Sequence, residues 1–313
     1  MERLTDTELL RQFVDDCRIR GLTHHTIRCY RGQIRIFRDF LNKHNRHFYD
    51  VDKDILKEFI RYLRNQREVS QKRIENYFSS LSSFYDFLTY EDIVDKNMVL
   101  QVRKRYLRRY KKDNNCGSHR KLVSVDEMAN FINLISDIRD KAVALLLAKT
   151  GIRRGELISI DANDIDWQEM SIRLKPKAKR SNLTVFFDNE TAYILRKWLS
   201  KRESVAKGDC KALFVSYQYG TRLKRSGVYH PFISWAERAG LHDPDSDRLE
   251  DHFTPHCCRH WFTTHLRRAG MPREYIKELR GDARTEAMDI YHHIDREELK
   301  KSYLAHIPQL GVE

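Results

Sequence analysis

Residues 101–120, "QVRKRYLRRYKKDNNCGSHR", hold eight Lys/Arg against a single Asp. A run this cationic is poor core material, so it marks a place where two domains can be joined, with a single domain the less favoured reading. It opens with the pattern of a basic helix and closes in Asn, Gly and Ser, the composition of a tether. With 313 residues there is chain enough for a core on each side. The expected division is a first unit over 1–102, a basic linker over 103–120 and a second unit over 121–313. Seven of the thirteen net positive charges fall in this one segment. A solvated tether accounts for it, and so does a strap along a polyanion, because each phosphate neutralised releases counterions. Nucleic acid is therefore the leading partner.

The two flanks carry different patterns. Before residue 101 the apolar spacing is helical throughout. Thr23 opens "LTHHTIRCYRGQIRIFRDFLNKH", in which Ile27, Tyr30, Ile34, Phe37 and Leu41 recur at intervals of three and four. "DKDILKEFIRYLRNQ" and "SQKRIENYFSSLSSFYDFLTYE", the latter with Ser70 as its cap, complete a small bundle. After residue 120, "SVDEMANFINLISD" starts from Ser124 and "IRDKAVALLLAKTG" is a buried helix stopped by Gly151. "MSIRLK" and "LTVFF", separated by "PKAKRSN", predict a β-hairpin, and the later segments return to helix. The fold class expected is mainly α, a helical bundle followed by an α+β unit with one small antiparallel sheet.

Several functions lose support at once. No run of 18 apolar residues and no signal-peptide pattern occurs, which predicts an intracellular, cytoplasmic protein away from membranes. The six cysteines show no CxxC spacing and read as reduced thiols. Neither GxxxxGK[ST] nor GxGxxG occurs, so nucleotide-driven chemistry has no motif to rest on. His252, His256, Cys257, Cys258 and His260 crowd together, but adjacent cysteines on a helix point about 100° apart, and no second ligand pair follows. The expectation is no cofactor and no metal.

Phosphodiester transfer without a metal needs a side-chain nucleophile, cations on the nonbridging oxygens and an acid for the leaving oxygen. In "KTGIRRGEL", Gly151 ends a helix, Arg153 begins the next turn and Glu156 follows three residues on, placed to aim the guanidinium. In "TPHCCRHWFTTHL", Pro255 sets His256 and Arg259 on one face of a helix's first turns. "GDARTEAMDIYHHID" offers Tyr291. For phosphate contact in the first unit, Arg28, Arg31, Lys72 and Arg73 lie near helix N-termini, and Arg103, Lys104, Arg105, Arg108 and Arg109 line the basic run.

In this order, TGxRxxE, a lysine-bearing hairpin, HxxRH and a later tyrosine resemble the catalytic domain of the tyrosine recombinase (phage integrase, Xer-type) family. The "TIRCY" and "SSLSSFYDFL" helices resemble that family's SAM-like core-binding domain. The resemblance implies that Arg153 and Arg259 clamp the scissile phosphate and that His256 hydrogen-bonds it and shares protons. Lys177 would be the acid for the leaving 5′-oxygen, with Lys175 and Lys179 as the neighbours a slipped hairpin register would substitute. Tyr291 would attack phosphorus to leave a 3′-phosphotyrosyl bond, Glu156 would orient Arg153, and His260 would buttress the helix of Arg259. Double-stranded DNA and a tetramer on two sites are implied as partners, with one domain on each side of the duplex and exchange through a Holliday junction.

One departure stands out. Nine residues before Tyr291 the family usually has His or Trp, and here "LRGD" places Asp282. A carboxylate repels phosphate, so Asp282 is expected to pair with a local cation such as Arg284 and to position the Tyr291 segment. "RGD…Y" at this place resembles integrases of archaeal viruses and plasmids. Leu299, Tyr303 and Ile307 form an amphipathic face after Tyr291, suited either to a neighbouring protomer or to its own domain. Two other readings stay open: a type IB topoisomerase, and a DNA-binding regulator without catalysis. No additional arm-binding domain is expected at the N-terminus.

Overall fold

The structure is a computed structural model and describes residues 3–107, 121–176, 180–282 and 294–312. The chain divides into two compact units, Met1–Asn115 and Cys116–Glu313.

The first unit is a bundle of α1 (Asp6–Ile19), α2 (His24–Lys43), α3 (Lys53–Arg61), α4 (Gln71–Tyr90) and α5 (Met98–Val102). Thr23 caps α2 by accepting from Thr26 N–H, whereas Ser70 occupies the cap position of α4 without a side-chain capping bond. The apolar stripe of α2 turns inward as its spacing requires: Ile34, Phe37 and Leu41 are buried, and Ile27 and Tyr30 pack against the core from its edge. That core is dense in rings, with Phe37 edge-on to Phe59 at 4.8 Å and Phe48 edge-on to Phe84 at 4.7 Å. The basic run opens as helix, as its pattern suggested. Residues Arg103–Leu107 continue α5 as a π-turn, Leu107 joins the core, and Arg103 donates to Ser82 Oγ at 3.0 Å. The apolar positions Val102 and Leu107 outweigh the surrounding charge because the charged heads remain at the surface.

In the second unit α7 (Ile138–Thr150) is the axis. It is apolar on nearly every side, so it is buried, with α6 (Val125–Leu134), α9 (Asn189–Val205), α10 (Arg225–Arg238) and α11 (Pro255–Arg268) packed around it. A short α8 (Arg154–Leu157) leads to a three-stranded antiparallel sheet of β1 (Ile165–Asp166), β2 (Ser171–Arg173) and β3 (Thr184–Phe186). The hairpin pairs Ser171 with Phe186, Ile172 with Val185 and Arg173 with Thr184. The predicted strand runs thus pair as expected, and the short β1 adds an edge that the sequence pattern did not show. α10 begins at Arg225 and carries Pro231 within it, six residues past the first helical position that a proline conventionally takes. The five described cysteines are free, and no described helix is long and apolar enough to cross a membrane.

A second, smaller core joins β3 to α11, α12 (Arg273–Arg280) and the C-terminal helix Arg296–His306 through Phe186, Phe262, Leu279, Leu299, Tyr303 and Ile307. The C-terminal amphipathic face is therefore spent on its own unit. Tyr303 Oη donates to Lys149 O at 3.0 Å, buried Lys149 donates to Asp188 at 2.6 Å and to Pro308 O at 2.6 Å, and Glu190 accepts from the Leu310 and Val312 amides.

Gly151 ends α7 in the left-handed region, with φ at 59°, and a Cβ there would stand 2.4 Å from the Phe262 ring. Gly151→Ala combines a left-handed backbone cost with an overlap, so a loss of about 2–4 kcal/mol is expected. Urea unfolding followed by tryptophan fluorescence checks it cleanly, because Trp167, Trp198, Trp235 and Trp261 all lie in the second unit.

Candidate active site

The turn at Gly151 hands the chain from α7 to α8 and makes Arg153 the cap residue of the new helix. Glu156, three residues on, accepts from Arg153 N–H at 2.8 Å through Oε2 and from the Arg153 guanidinium at 3.0 Å through Oε1. The Glu156 side chain is 4% exposed and that of Arg153 is 40%. A buried carboxylate thus aims a solvent-facing guanidinium. Burial by itself would raise the Glu156 pKa, but the Arg153 amide, Arg180 and the Arg153 fork together hold it below its ordinary value.

α11 supplies the second cation. Thr254 is its cap and Pro255 its first residue, so His256 and Arg259 occupy the opening turns. Arg259 is buried: Nη1 donates to Gly151 O at 2.7 Å, and Nη2 donates to Arg280 O and to Asp282 Oδ1, each at 3.0 Å. Burial, followed by the charges of Arg153 and Arg280, pushes the Arg259 pKa down to about 10. It remains cationic at neutral pH. His256 is exposed and lies with Arg153, Arg154, Arg225 and Tyr229 around an open cavity of about 290 Å³. Arg154 stacks over the Tyr229 ring at 5.3 Å, which gives the mouth a cationic rim.

Asp282 joins the two arginines. Its Oδ1 is 3.0 Å from Arg259 Nη2 and 3.9 Å from Arg153 Nη2. Arg280 Nε lies 3.2 Å from Oδ2 without hydrogen-bond geometry, so that contact is electrostatic. The cations found against Asp282 are therefore Arg259, Arg280 and Arg153, while Arg284, the partner expected from the sequence, lies outside the described residues.

Other sequence expectations fare unevenly. Tyr291, Lys177 and Lys179 lie outside the described residues, as do Arg108 and Arg109. Lys175 is held by Asp161 at 3.0 Å and Asp164 at 2.9 Å, which ties it into the base of the hairpin. His260 is the residue that the resemblance assigns to buttress the helix of Arg259. It is exposed, with its ring 5.2 Å from that of His256. The next residue, Trp261, and His265 one turn beyond it are the buried pair that anchors α11, bonding Ser124 O and Val123 O respectively. In the first unit Arg28, Arg31, Lys72 and Arg73 are exposed, with Lys72 paired to Glu75 at 3.2 Å. Among the described residues no group of three or more His, Cys, Asp or Glu is placed to hold a metal.

Arg180 and Arg225 are the residues that spacing alone missed. Arg180 is buried and donates to Glu156 Oε2 at 3.2 Å, from 24 positions away. Local i,i+3 logic reveals Arg153 and Glu156 but has no signal for a partner in another element.

A carboxyl whose pKa is depressed in the folded state stabilises above its unfolded value and loses that contribution as pH falls through the folded one. Starting from an ordinary value of 4.5, Glu156 should therefore steepen acid unfolding below about that pH. Glu156→Gln should cost about 1–3 kcal/mol at neutral pH and show a shallower acid limb. Urea midpoints measured across the acid range check this, and an acid limb as steep as that of the wild type would remove the role assigned to the carboxylate.

Comparison with known proteins places this geometry. Residues 121–298 match the model of the phage integrase family, and residues 9–95 match that of the phage integrase N-terminal SAM-like domain. The tyrosine recombinase XerC of Vibrio cholerae is 28% identical over 289 residues, covering 91% of this chain and 87% of its own. XerC of Herpetosiphon aurantiacus is 29% identical over 287 residues, covering 90% and 89%. Among solved structures, a lambda integrase (75–356) dimer bound to a COC′ core site aligns with a TM-score of 0.68 at 16% identity, covering 94% of this chain and 100% of that one. The Tn1549 transposon integrase in complex with circular-intermediate DNA aligns at 0.67 and 20% identity, covering 96% and 99%. The fold is that of a tyrosine recombinase, and the chain belongs to the phage integrase family.

Proposed function

We propose that this chain is a site-specific DNA recombinase that cuts and rejoins double-stranded DNA through a 3′-phosphotyrosyl intermediate. The observation that carries the proposal is the convergence of Arg153 and Arg259, from α8 and α11, on a single carboxylate oxygen. Two guanidinium groups that meet on one anionic oxygen form a seat for a phosphate. His256 borders the same cavity as Arg153 and is assigned the hydrogen bond to the phosphate.

In the proposed reaction Tyr291 Oη gives up its proton to His256 as it attacks phosphorus, and the P–O5′ bond breaks with the 5′-oxygen taking a proton from Lys177. Charge accumulates on the nonbridging oxygens in the transition state, where Arg153 and Arg259 stabilise it. Because the phosphotyrosyl ester retains the energy of the original bond, a second 5′-hydroxyl can reverse the step and join a new strand. The reaction calls for neither nucleotide nor metal. The SAM-like match of the first unit supports partner exchange over topoisomerase relaxation. Arg28, Arg31, Lys72, Arg73 and the run from Arg103 to Arg109 are assigned to the DNA backbone. We assign residues 1–102 and 121–313 as the two DNA-binding units, a tetramer on two sites as the working assembly, and a DNA-associated place in the cytoplasm.

The test is a duplex selected by the wild-type protein from a randomised library and then nicked beside the cleavage position. The wild type should form a covalent protein–DNA complex and Tyr291→Phe none. Arg153→Ala and Arg259→Ala should each slow complex formation by about a hundredfold or more. Binding without a covalent complex on every selected duplex would favour the regulator.

A further inference from the structure

Arg180 ends the hairpin loop "PKAKR" and is as buried as a core residue, with its side chain 1% exposed. Its guanidinium touches three separate segments. Nη1 donates to Glu156 Oε2 at 3.2 Å and to Arg280 O at 3.0 Å, Nη2 donates to Leu279 O at 2.9 Å, and Nε donates to Asn182 O. Leu279 and Arg280 are the last residues of α12, whose end carbonyls have no partner within the helix. The neighbours of Arg180 reinforce the same seam: Ser181 Oγ donates to Asp282 O at 2.8 Å, and Asn182 Nδ2 donates to Glu278 O at 3.2 Å. Gly281 closes the arrangement from the other side. It is left-handed, with φ at 59°, and a Cβ there would stand 2.4 Å from Arg180 Cγ.

We propose that Arg180 is a positioning residue that ties the lysine-bearing hairpin loop, the Glu156–Arg153 pair and the end of α12 leading to Asp282 into one unit. The inference rests on the recombinase reading above and adds to it a residue that touches neither phosphate nor nucleophile. Its logic is geometric. Glu156 can aim Arg153 only while its own carboxylate is fixed, and Arg180 helps to fix it at Oε2, the oxygen that also accepts from Arg153 N–H. The same fork satisfies the end of α12, so the segment that continues toward Tyr291 departs from a fixed point. Lys177 lies three residues before Arg180 in the sequence. A fork is required because a lysine could neutralise Glu156 but could not at the same time span two α12 carbonyls.

Three full-length variants test the tie. Arg180→Met keeps the length of the side chain and removes charge and fork, Arg180→Lys restores charge alone, and Gly281→Ala disturbs Arg180 from a distant position. Amide exchange across residues 278–282 should lose protection in all three, while α9 keeps its own. On the wild-type-selected nicked duplex, Arg180→Met should bind DNA as the wild type does yet form the covalent complex about a hundredfold more slowly. The acid limb of its cleavage rate should move to higher pH, because Glu156 has lost a cation, and Arg180→Lys should return that limb toward its wild-type position. A residue that only stabilised the fold would lower the melting temperature without moving the limb. Wild-type protection across 278–282, or a wild-type cleavage rate, in Arg180→Met overturns the proposal. A wild-type protein that never cleaves defeats the recombinase reading alone, since exchange then decides the tie by itself.

Discussion

Glu156 is a buried carboxylate with cations on two sides, and the site is built outward from it. A half-exposed arginine ordinarily samples many rotamers, and ordering it costs entropy. Glu156 offsets that cost because its carboxylate lies in the interior, where a hydrogen bond to a charged group is stronger than at the surface. The burial is sustained only by compensation. Arg153 N–H, the Arg153 fork and Arg180 share the two oxygens, and the arrangement would be unfavourable with any one of them removed. An acidic residue that begins as an i,i+3 partner on a four-residue helix thereby links the α7–α8 turn to the hairpin.

The second constraint is electrostatic crowding. Arg153, Arg259 and Arg280 approach one another closely enough that the charges of the first and last, together with burial, depress the pKa of Arg259. Asp282 resolves the repulsion by standing against all three. This gives physical sense to a carboxylate where the family resemblance leads one to expect His or Trp. An anion beside a phosphate is repulsive when alone, but here three guanidinium groups surround the carboxylate, so the region keeps an excess of positive charge for a phosphate to meet. The Arg-Gly-Asp tripeptide acquires a structural meaning in the same way. Arg280 O accepts from Arg259 and Arg180, Gly281 makes room for Arg180, and Asp282 neutralises the cluster.

What was legible in the sequence was what is local. Gly151, Arg153 and Glu156 lie within six residues, and their mutual placement follows from a helix stop and a helix start. The hairpin was visible in two β-rich runs, and the α2 core in its spacing. Contacts between elements were not visible. Arg180 meets α12 a hundred positions away, Arg225 reaches the cavity from α10, and Asp282 finds cations that no spacing rule connects to it. His260 came from the HxxRH motif and stands exposed beside the ring of His256, while His265 is buried further along α11. The basic run opens as the helix its pattern suggested, and Val102 and Leu107 draw its first residues into the bundle.

The last turn of α7 shows how little separates the site from the support of the C-terminal segment. Lys149 faces backward, buried among Asp188, Glu190 and Pro308 O, and its own carbonyl accepts from Tyr303. Two residues later, Gly151 turns the chain toward Arg153 and presents its carbonyl to Arg259. A single helical turn therefore holds the C-terminal segment on one side and the two arginines on the other. Because a packed interior resists continuous deformation, a displacement at Lys149 cannot be absorbed before it reaches Gly151. The small core of Phe262, Tyr303 and Ile307 runs beneath both, and Phe262 is the ring that a Cβ at position 151 would strike. Placement of the arginines and docking of the C-terminal helix are thus consequences of the same packing.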